Sequence, residues 1–152
     1  MLRERLTAEM KEAMKAGDKA KLATVRMIQA ALKDKDIEAR GLGKEPASEE
    51  DIFALLQKMI KQRNESAAVY EQGGRPELAE AEKAEAAIVA SFLPRQMDEA
   101  ETRAAVEAAI AETGAASPKD MGKVIAALKA AHAGRMDFAK VSGIVKETLA
   151  AG

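Results

Sequence analysis

Apolar residues recur three or four positions apart along almost the whole chain, a spacing that places them on one face of a helix. In the first helix they lie four apart, and in the next two most spacings are three or four. We find no run in which β-branched and polar residues alternate, the pattern typical of a strand. The apolar faces of the first three predicted helices are Leu2, Leu6, Met10 and Met14, then Leu22, Val25, Ile28 and Leu32, then Ile52, Leu55, Met59 and Ile60.

Start and stop signals divide this pattern into seven helices. Gly17 ends the first helix, and Asp18 caps the second, which we expect to run to about Arg40. Ser48 and Asp51 predict a capping box at the start of the third helix. The remaining signals are Gly73 at the end of the third helix, Pro76 and Pro94 around the fourth, Asp98 and Gly114 around the fifth, Ser117 with Pro118 at the start of the sixth, and Gly134 and Asp137 between the sixth and seventh.

A domain boundary is expected after the fourth helix. That helix is predicted over 76–93, and its second half is strongly apolar before Pro94 breaks it. Leu93 to Asp98 is the best candidate for a hinge. We therefore predict an N-terminal domain of four helices over 1–94 and a C-terminal domain of three helices over 95–152.

Composition supports an all-α fold and excludes some chemistry. Hydrophobic residues make up 47% of the 152 positions, aromatic residues only 3% and charged residues 32%, which is typical of packed, salt-bridged helices. The chain has no Cys, so disulfides, thiolate catalysis and Cys-based zinc sites are excluded. No stretch approaches the roughly 20 apolar residues that span a bilayer, and the N-terminus has no apolar leader core. We expect a cytoplasmic protein without membrane contact.

Charge is unevenly distributed in the last third of the chain. The segment 117–149 holds six basic and three acidic side chains, whereas 98–116 holds five acidic side chains and one basic. Four of the basic residues lie near the predicted Gly134–Arg135 turn, where they could contact phosphates: Lys123, Lys129, Arg135 and Lys140. An ordinary solvated face is the alternative interpretation.

A second polar surface is predicted on the third helix. Lys58, Lys61 and Gln62 lie three and four positions apart, so they share one helical face that could bind a protein partner. The alternative is that the polar and basic run 57–65, which contains this face, pairs within the chain with the acidic residues of the fourth helix, Glu77, Glu80, Glu82 and Glu85.

Gly122 and Gly143 lie inside the sixth and seventh predicted helices, where a glycine destabilises the helix by about 1 kcal/mol relative to alanine. One interpretation is that these two helices cross closely at the glycines. The other is that a ligand backbone approaches them.

The residues predict no catalytic, metal or cofactor site. His132 is the only histidine, and we interpret it as a surface residue in the last turn of the sixth helix. No Ser lies in a nucleophile motif, no Gly-rich loop follows a strand, and no acidic run has the spacing of a calcium loop.

Taken together, six strings resemble the YqeY family, and the resemblance covers essentially the whole chain. They are LLQKMIKQR (55–63), GRPELA (74–79), FLPRQM (92–97), KDMGKV (119–124), GRMD (134–137) and the segment 141–145.

The resemblance implies an elongated N-terminal helical bundle and a small C-terminal three-helix domain. That C-terminal domain, called the GatB/YqeY domain, resembles the tail of the B subunit of the glutamyl/aspartyl-tRNA amidotransferase. In that enzyme the tail binds tRNA, and the reaction takes place in other domains. The resemblance therefore implies tRNA as a partner for Lys123, Lys129, Arg135 and Lys140, and a possible protein partner in tRNA-dependent amidation. The family is also labelled as a carbon–nitrogen ligase with glutamine as amide donor. The alternatives are a non-catalytic tRNA module, a protein–protein adaptor without RNA contact, and an amide-transferring enzyme.

Overall fold

The computed structural model describes residues 1–151, and these form seven α-helices, a 3-10 turn at Pro118–Asp120 and no strand. The predicted all-α fold class is confirmed. The helices are α1 (Leu2–Ala16), α2 (Lys19–Gly41), α3 (Glu49–Gln72), α4 (Pro76–Ala90), α5 (Glu99–Thr113), α6 (Met121–His132) and α7 (Phe138–Ala151).

The chain divides into two compact units. The first is Met1–Leu93 and holds α1 to α4, and the second begins at Pro94 and holds α5 to α7. Each unit has a hydrophobic cluster of its own.

The first unit is built around side chains from all four of its helices and from the turn that follows α4. Phe92 is almost fully buried, and the Arg5 guanidinium carbon lies 5.1 Å from the centroid of its ring. The other buried members are Leu2, Leu6, Val25, Ile28, Leu32, Ile52, Leu56, Met59 and Val89.

One predicted core position is wrong. Met14 is 53% exposed, because a spacing of four advances about 40° beyond a full turn at each step, so the set that begins at Leu2 drifts off one face. On α3, Leu55 is partly buried and packs against the core, and the neighbouring Leu56, which was not predicted, is fully buried.

A network of charged side chains fixes the loop between α2 and α3. The guanidinium of Arg3 donates to both carboxylate oxygens of Asp36, at 2.8 and 2.9 Å, and to the carbonyl oxygen of Ala47 at 2.8 Å. Asp36 also accepts from the Ala47 amide at 2.9 Å. The loop residue Ala47 is therefore held to the start of α1 and the end of α2.

Most predicted caps are confirmed. Asp18 accepts from the amide of Lys21, and Ser48 and Asp51 form a reciprocal capping box at α3. Asp98 and Glu101 form another at α5, and Asp137 accepts from the amide of Ala139. Gly17, Gly114 and Gly134 have positive φ angles of 69°, 70° and 78°, as helix-terminating glycines should.

The ends of two helices differ from the prediction. Ser117 makes no side-chain capping hydrogen bond, and α6 starts only at Met121 because Pro118 opens a 3-10 turn. The carboxylate of Asp120 turns back to accept from the amide of Ala116 at 3.0 Å. The fourth helix ends at Ala90, and the amides of Phe92 and Leu93 make turn-type bonds three residues back.

Candidate functional site

Two short segments of the second unit meet at the turn between α6 and α7. The amide of Met97 donates to the carbonyl oxygen of Arg135 at 3.0 Å, and the Gln96 side chain donates to the carbonyl oxygen of Gly134 at 2.6 Å. In return, Nε of Arg135 donates to the carbonyl oxygen of Arg95 at 3.0 Å. Gly134 takes the left-handed backbone that such a sharp reversal favours. The segment 94–97 is thereby fixed against the turn.

An ion pair at the start of α5 holds the same segment. The Arg95 guanidinium donates to both carboxylate oxygens of Glu101, at 3.1 and 2.7 Å. This hydrogen-bonded pairing, helped by the amide of Asp98 and the charge of Arg135, lowers the pKa of Glu101 to about 2. Arg95 was not among the residues predicted to have a role. Its only sequence signal is its place in FLPRQM, beside a capping box that already uses Glu101.

The four residues predicted to contact RNA lie on three elements. Lys123 and Lys129 are on α6, Arg135 is in the turn, and Lys140 is on α7. The three lysines are exposed, while Arg135 is half-buried. Six residues on a helix correspond to about 600°, so Lys123 and Lys129 lie about 120° apart around α6. The structure does not place all four on one helical face.

One contact brings part of this set together. The ammonium nitrogen of Lys129 lies 5.7 Å from the centroid of the Phe138 ring, within the range of a cation–π contact. Phe138 begins α7, two residues before Lys140. Lys129 is therefore linked to the first turn of α7, where Lys140 is also located.

The lysines of the second unit are in no ion pair with its acidic residues within 94–151. One electrostatic interaction joins Lys123 to Asp120, whose pKa is lowered by the amide of Ala116 and further by the charge of Lys123. In the described part of the unit none of its five lysines forms an ion pair, although α5 is rich in Glu. Glu99 and Glu101 pair with Arg103 and Arg95 instead. The five lysines, all exposed, are Lys119, Lys123, Lys129, Lys140 and Lys146.

The polar face predicted on α3 is solvent-exposed. Lys58, Lys61 and Gln62 are all exposed, and among the described residues neither lysine forms an ion pair. The alternative that the run 57–65 pairs with α4 is confirmed for Arg63 and not for Lys58 or Lys61. The pairs that join α3 to α4 are Arg63 with Glu85, at 3.2 Å, and Lys83 with Glu71. Arg63 lies in the run 57–65, but only the tertiary structure selects Glu85 from the four acidic candidates on α4 as its partner.

The interpretation that the sixth and seventh helices cross closely at Gly122 and Gly143 is wrong. A Cβ atom placed on either glycine would meet no atom within 4 Å, so no neighbouring helix requires a glycine there. Approach by a ligand backbone stays a prediction.

His132 is the last residue of α6, as predicted, but it is half-buried rather than exposed. Its Nδ1 is buried and has no hydrogen-bond partner among the described residues. Within residues 1–151, no group of three or more His, Cys, Asp or Glu side chains is placed to hold a metal ion. No helix in that range is both long enough and apolar enough to cross a membrane.

Comparison with known proteins assigns a family to almost the whole length. The model of the family described as Yqey-like protein matches residues 3–149. This range includes both units and every candidate residue described above.

Curated relatives are found among fungi, each named Altered inheritance of mitochondria protein 41, mitochondrial. That of Meyerozyma guilliermondii is 36% identical over 91 residues, which is 58% of this chain and 44% of the relative. That of Clavispora lusitaniae is 32% identical over 97 residues, or 62% and 54% of the two chains. That of Vanderwaltozyma polyspora is 31% identical over 88 residues, or 58% and 46%. The chain thus spans about half the length of the curated relatives it matches.

Proposed function

The chain belongs to the Yqey-like protein family, and from that premise we propose that it is a non-catalytic tRNA-binding module associated with tRNA-dependent amidation. In this proposal the second unit contacts the RNA backbone. Lys123, Lys129, Arg135 and Lys140 supply the contacts. The first unit is left available for a protein partner.

The observation that carries the proposal is the set of exposed, unpaired lysines on α6 and α7. A lysine already paired with a carboxylate must lose that partner before it can bind a phosphate. Lys123, Lys129 and Lys140 are in no ion pair within the described part of the chain, so no such loss opposes binding. Phosphate contacts of this kind position a protein on RNA without reading its sequence.

Arg135 has a different part in the proposal. Its Nε is bonded to the carbonyl oxygen of Arg95, which fixes the plane of the guanidinium. A guanidinium held in one orientation loses less entropy when its other N–H groups bind a phosphate. In this proposal Arg135 binds one phosphate in a fixed orientation beside the turn, and the lysines contact neighbouring phosphates through their charge.

A titration with bulk tRNA tests this proposal. We expect the pair of substitutions Lys123→Glu and Lys140→Glu to weaken binding at least tenfold, because two attractive contacts become repulsive. The matched control is Lys11→Glu with Lys61→Glu, which makes the same change of charge at exposed, unpaired lysines of the first unit. Equal loss in both variants, or no binding by the unmodified protein at low salt, would contradict the proposal.

The absence of chemistry is tested separately. The family label of carbon–nitrogen ligase with glutamine as amide donor predicts ammonia release from glutamine. We expect the purified chain alone to release none, with circular dichroism showing that it is helical. Release that is dependent on the protein would contradict a non-catalytic role.

A protein–protein adaptor without RNA contact is the second candidate, and the exposed face of Lys58, Lys61 and Gln62 favours it. Copurification from cells, with and without nuclease, distinguishes the two. The adaptor would be supported by a protein that copurifies in stoichiometric amount after nuclease treatment and that no longer copurifies with the Lys61→Glu variant. The tRNA module would be supported by tRNA that copurifies with the unmodified protein and does not copurify with the variant that carries Lys123→Glu and Lys140→Glu.

We propose the cytoplasm as the compartment, as the sequence predicts. The curated relatives have mitochondrial in their names, which applies to those proteins. Imaging of the tagged full-length protein in its own cells would test the compartment, and an organellar signal would contradict it.

A further inference from the structure

A cavity of about 360 Å³ opens on the surface of the first unit. It lies between the C-terminal end of α2, the loop that follows, and the N-terminal part of α3. Its volume is near the lower end of the range found for binding pockets, about 300–1,000 Å³. All of its lining residues belong to the first unit.

The two walls of the cavity are regular helical stripes. Lys35, Glu38, Ala39 and Leu42 line it from α2 and its cap, at positions i, i+3, i+4 and i+7. Asp51, Ala54, Leu55 and Lys58 line it from α3 at the same spacing. The loop between them is held at Ala47 by Arg3 and Asp36, so the cavity is preformed.

The same face carries both an apolar hole and an apolar projection. Small or aliphatic side chains line the hole, among them Ala39, Ala54 and Leu55. Leu42 stands at its rim with 64% of its surface exposed. Single exposed leucines are common, but Leu42 lies beside a partly apolar cavity, so an exposed apolar side chain and a hollow occur on the same surface.

The rim of the cavity carries charges of both signs. Lys35, Lys44 and Lys58 are exposed and, among the described residues, form no ion pair. Glu38 and Glu45 are likewise exposed and unpaired. Asp51 is already used, because its carboxylate closes the capping box with the amide of Ser48. A surface with both signs can complement a second copy of itself.

We propose that this face is a self-association surface, on which a second copy of the chain docks about a two-fold axis. In a two-fold interface each residue pair occurs twice. One exposed leucine and one cavity on the same face therefore give two matching contacts, one in each direction. Each copy places Leu42 in the cavity of the other. Lysines of one rim face glutamates of the opposite rim.

The size of the surface sets the strength of this association. Eleven residues line the cavity, whereas interfaces of standard size contribute roughly 20–30 residues from each side. A contact of this size belongs with weak, transient interfaces. The dimer is therefore reversible, with a dissociation constant in the micromolar range or weaker.

Sedimentation velocity of the full chain over a wide range of protein concentration tests the proposal. The weight-average sedimentation coefficient should rise towards that of a dimer as concentration increases. Leu42→Ser should weaken association at least tenfold. Ile37→Ser is the matched control, because Ile37 is 58% exposed on the same helix and does not line the cavity. Circular dichroism confirms that both variants fold.

A charge exchange tests the pairing across the axis. One variant makes the unpaired rim charges all acidic with Lys35→Glu, Lys44→Glu and Lys58→Glu. The other makes them all basic with Glu38→Lys and Glu45→Lys. Each alone should be monomeric, and an equimolar mixture should recover the association of the unmodified chain.

Any one of three results would overturn the proposal. The first is sedimentation of the chain as a monomer at all concentrations up to about 1 mM. The second is an equal reduction of association by Ile37→Ser and Leu42→Ser. The third is an equimolar mixture of the two charge variants that stays monomeric. Each of these results would mean that the cavity face does not bind a second copy of the chain.

Discussion

At the scale of single residues, a few charged side chains fasten segments that lack regular structure. Asp36 accepts hydrogen bonds from Arg3 and from the Ala47 amide, and Glu101 accepts from Arg95 and the Asp98 amide. Each carboxylate joins a guanidinium fork to a backbone amide. Charge-assisted bonds of this kind are stronger than neutral ones, so removing the carboxylate should be measurable even at a partly exposed site.

Asp36→Ala should destabilise the protein by about 1–2 kcal/mol, because three hydrogen bonds are lost and the side chains remain partly screened by water. Urea unfolding measures the change. Asp34→Ala is the control, since Asp34 is exposed on the same helix, has no ion pair among the described residues, and gives the same gain in helix propensity. Equal free energies of unfolding for the two variants would contradict the role of the network.

Glu101 should make stability sensitive to acid. Its pKa is about 2 in the folded chain against an ordinary value of 4.5, so the folded state favours the charged form. The stabilisation is present above about pH 4.5 and is lost as the pH falls towards 2.

We therefore expect the free energy of unfolding of Glu101→Gln to fall less steeply over this interval than that of the unmodified protein. Other carboxylates titrate in the same interval, so the difference between the two curves is the quantity to compare. Glu107→Gln, an exposed residue of the same helix, is the control and should follow the unmodified curve. Parallel curves for Glu101→Gln and the unmodified chain would show that the pairing with Arg95 does not stabilise the fold.

At the scale of the helices, capping residues and glycines in the sequence predict most of the helix boundaries. The capping boxes at α3 and α5 and the left-handed glycines after α1 and α5 lie where the sequence predicts them. One exception is the start of α6, where Ser117 makes no side-chain capping bond and Pro118 opens a 3-10 turn instead. The glycines inside α6 and α7 affect only the stability of their own helices, because no other element packs closely against them.

Gly143→Ala should stabilise the protein by about 0.5–1 kcal/mol, because the position is helical and open, and alanine lowers the entropy of the unfolded chain. Gly122→Ala should give a smaller gain, since it lies in the first turn of α6. Gly114→Ala should instead destabilise, because its φ of 70° is strained for alanine. Thermal or urea unfolding measures all three. A loss of stability in Gly143→Ala would show that a glycine is needed there.

At the scale of the whole molecule, charge is nearly balanced, with a formal net charge of −1. Long-range attraction to RNA is therefore small, and binding must come from a local set of contacts. The two units also have separate cores, so the cationic helices and the cavity face belong to different compact bodies.

The proposed tRNA binding should consequently be weak and salt-sensitive. Each phosphate contact adds roughly 0.7–0.9 to the slope of log affinity against log salt, so three or four contacts predict a slope of about −2 to −3.6. A titration at several salt concentrations measures it. A slope near zero would exclude binding through Lys123, Lys129, Arg135 and Lys140, and a much steeper slope would require contacts outside this set.

The sequence by itself determined the all-α class, the seven helices and most of their caps, because these depend on residues within one or two turns of each other. Its period of apolar residues also placed most of the core. Only the tertiary structure decided which charges are paired. It joined Arg63 to Glu85 and Arg95 to Glu101, left the lysines of α3, α6 and α7 unpaired, and formed the cavity beside Leu42. The pairing of Arg63 with Glu85 and the cavity depend on residues far apart in the chain, 22 positions in the case of that pair. Arg95 and Glu101 are near in sequence, but the segment before α5 that brings them together is irregular and has no periodic pattern.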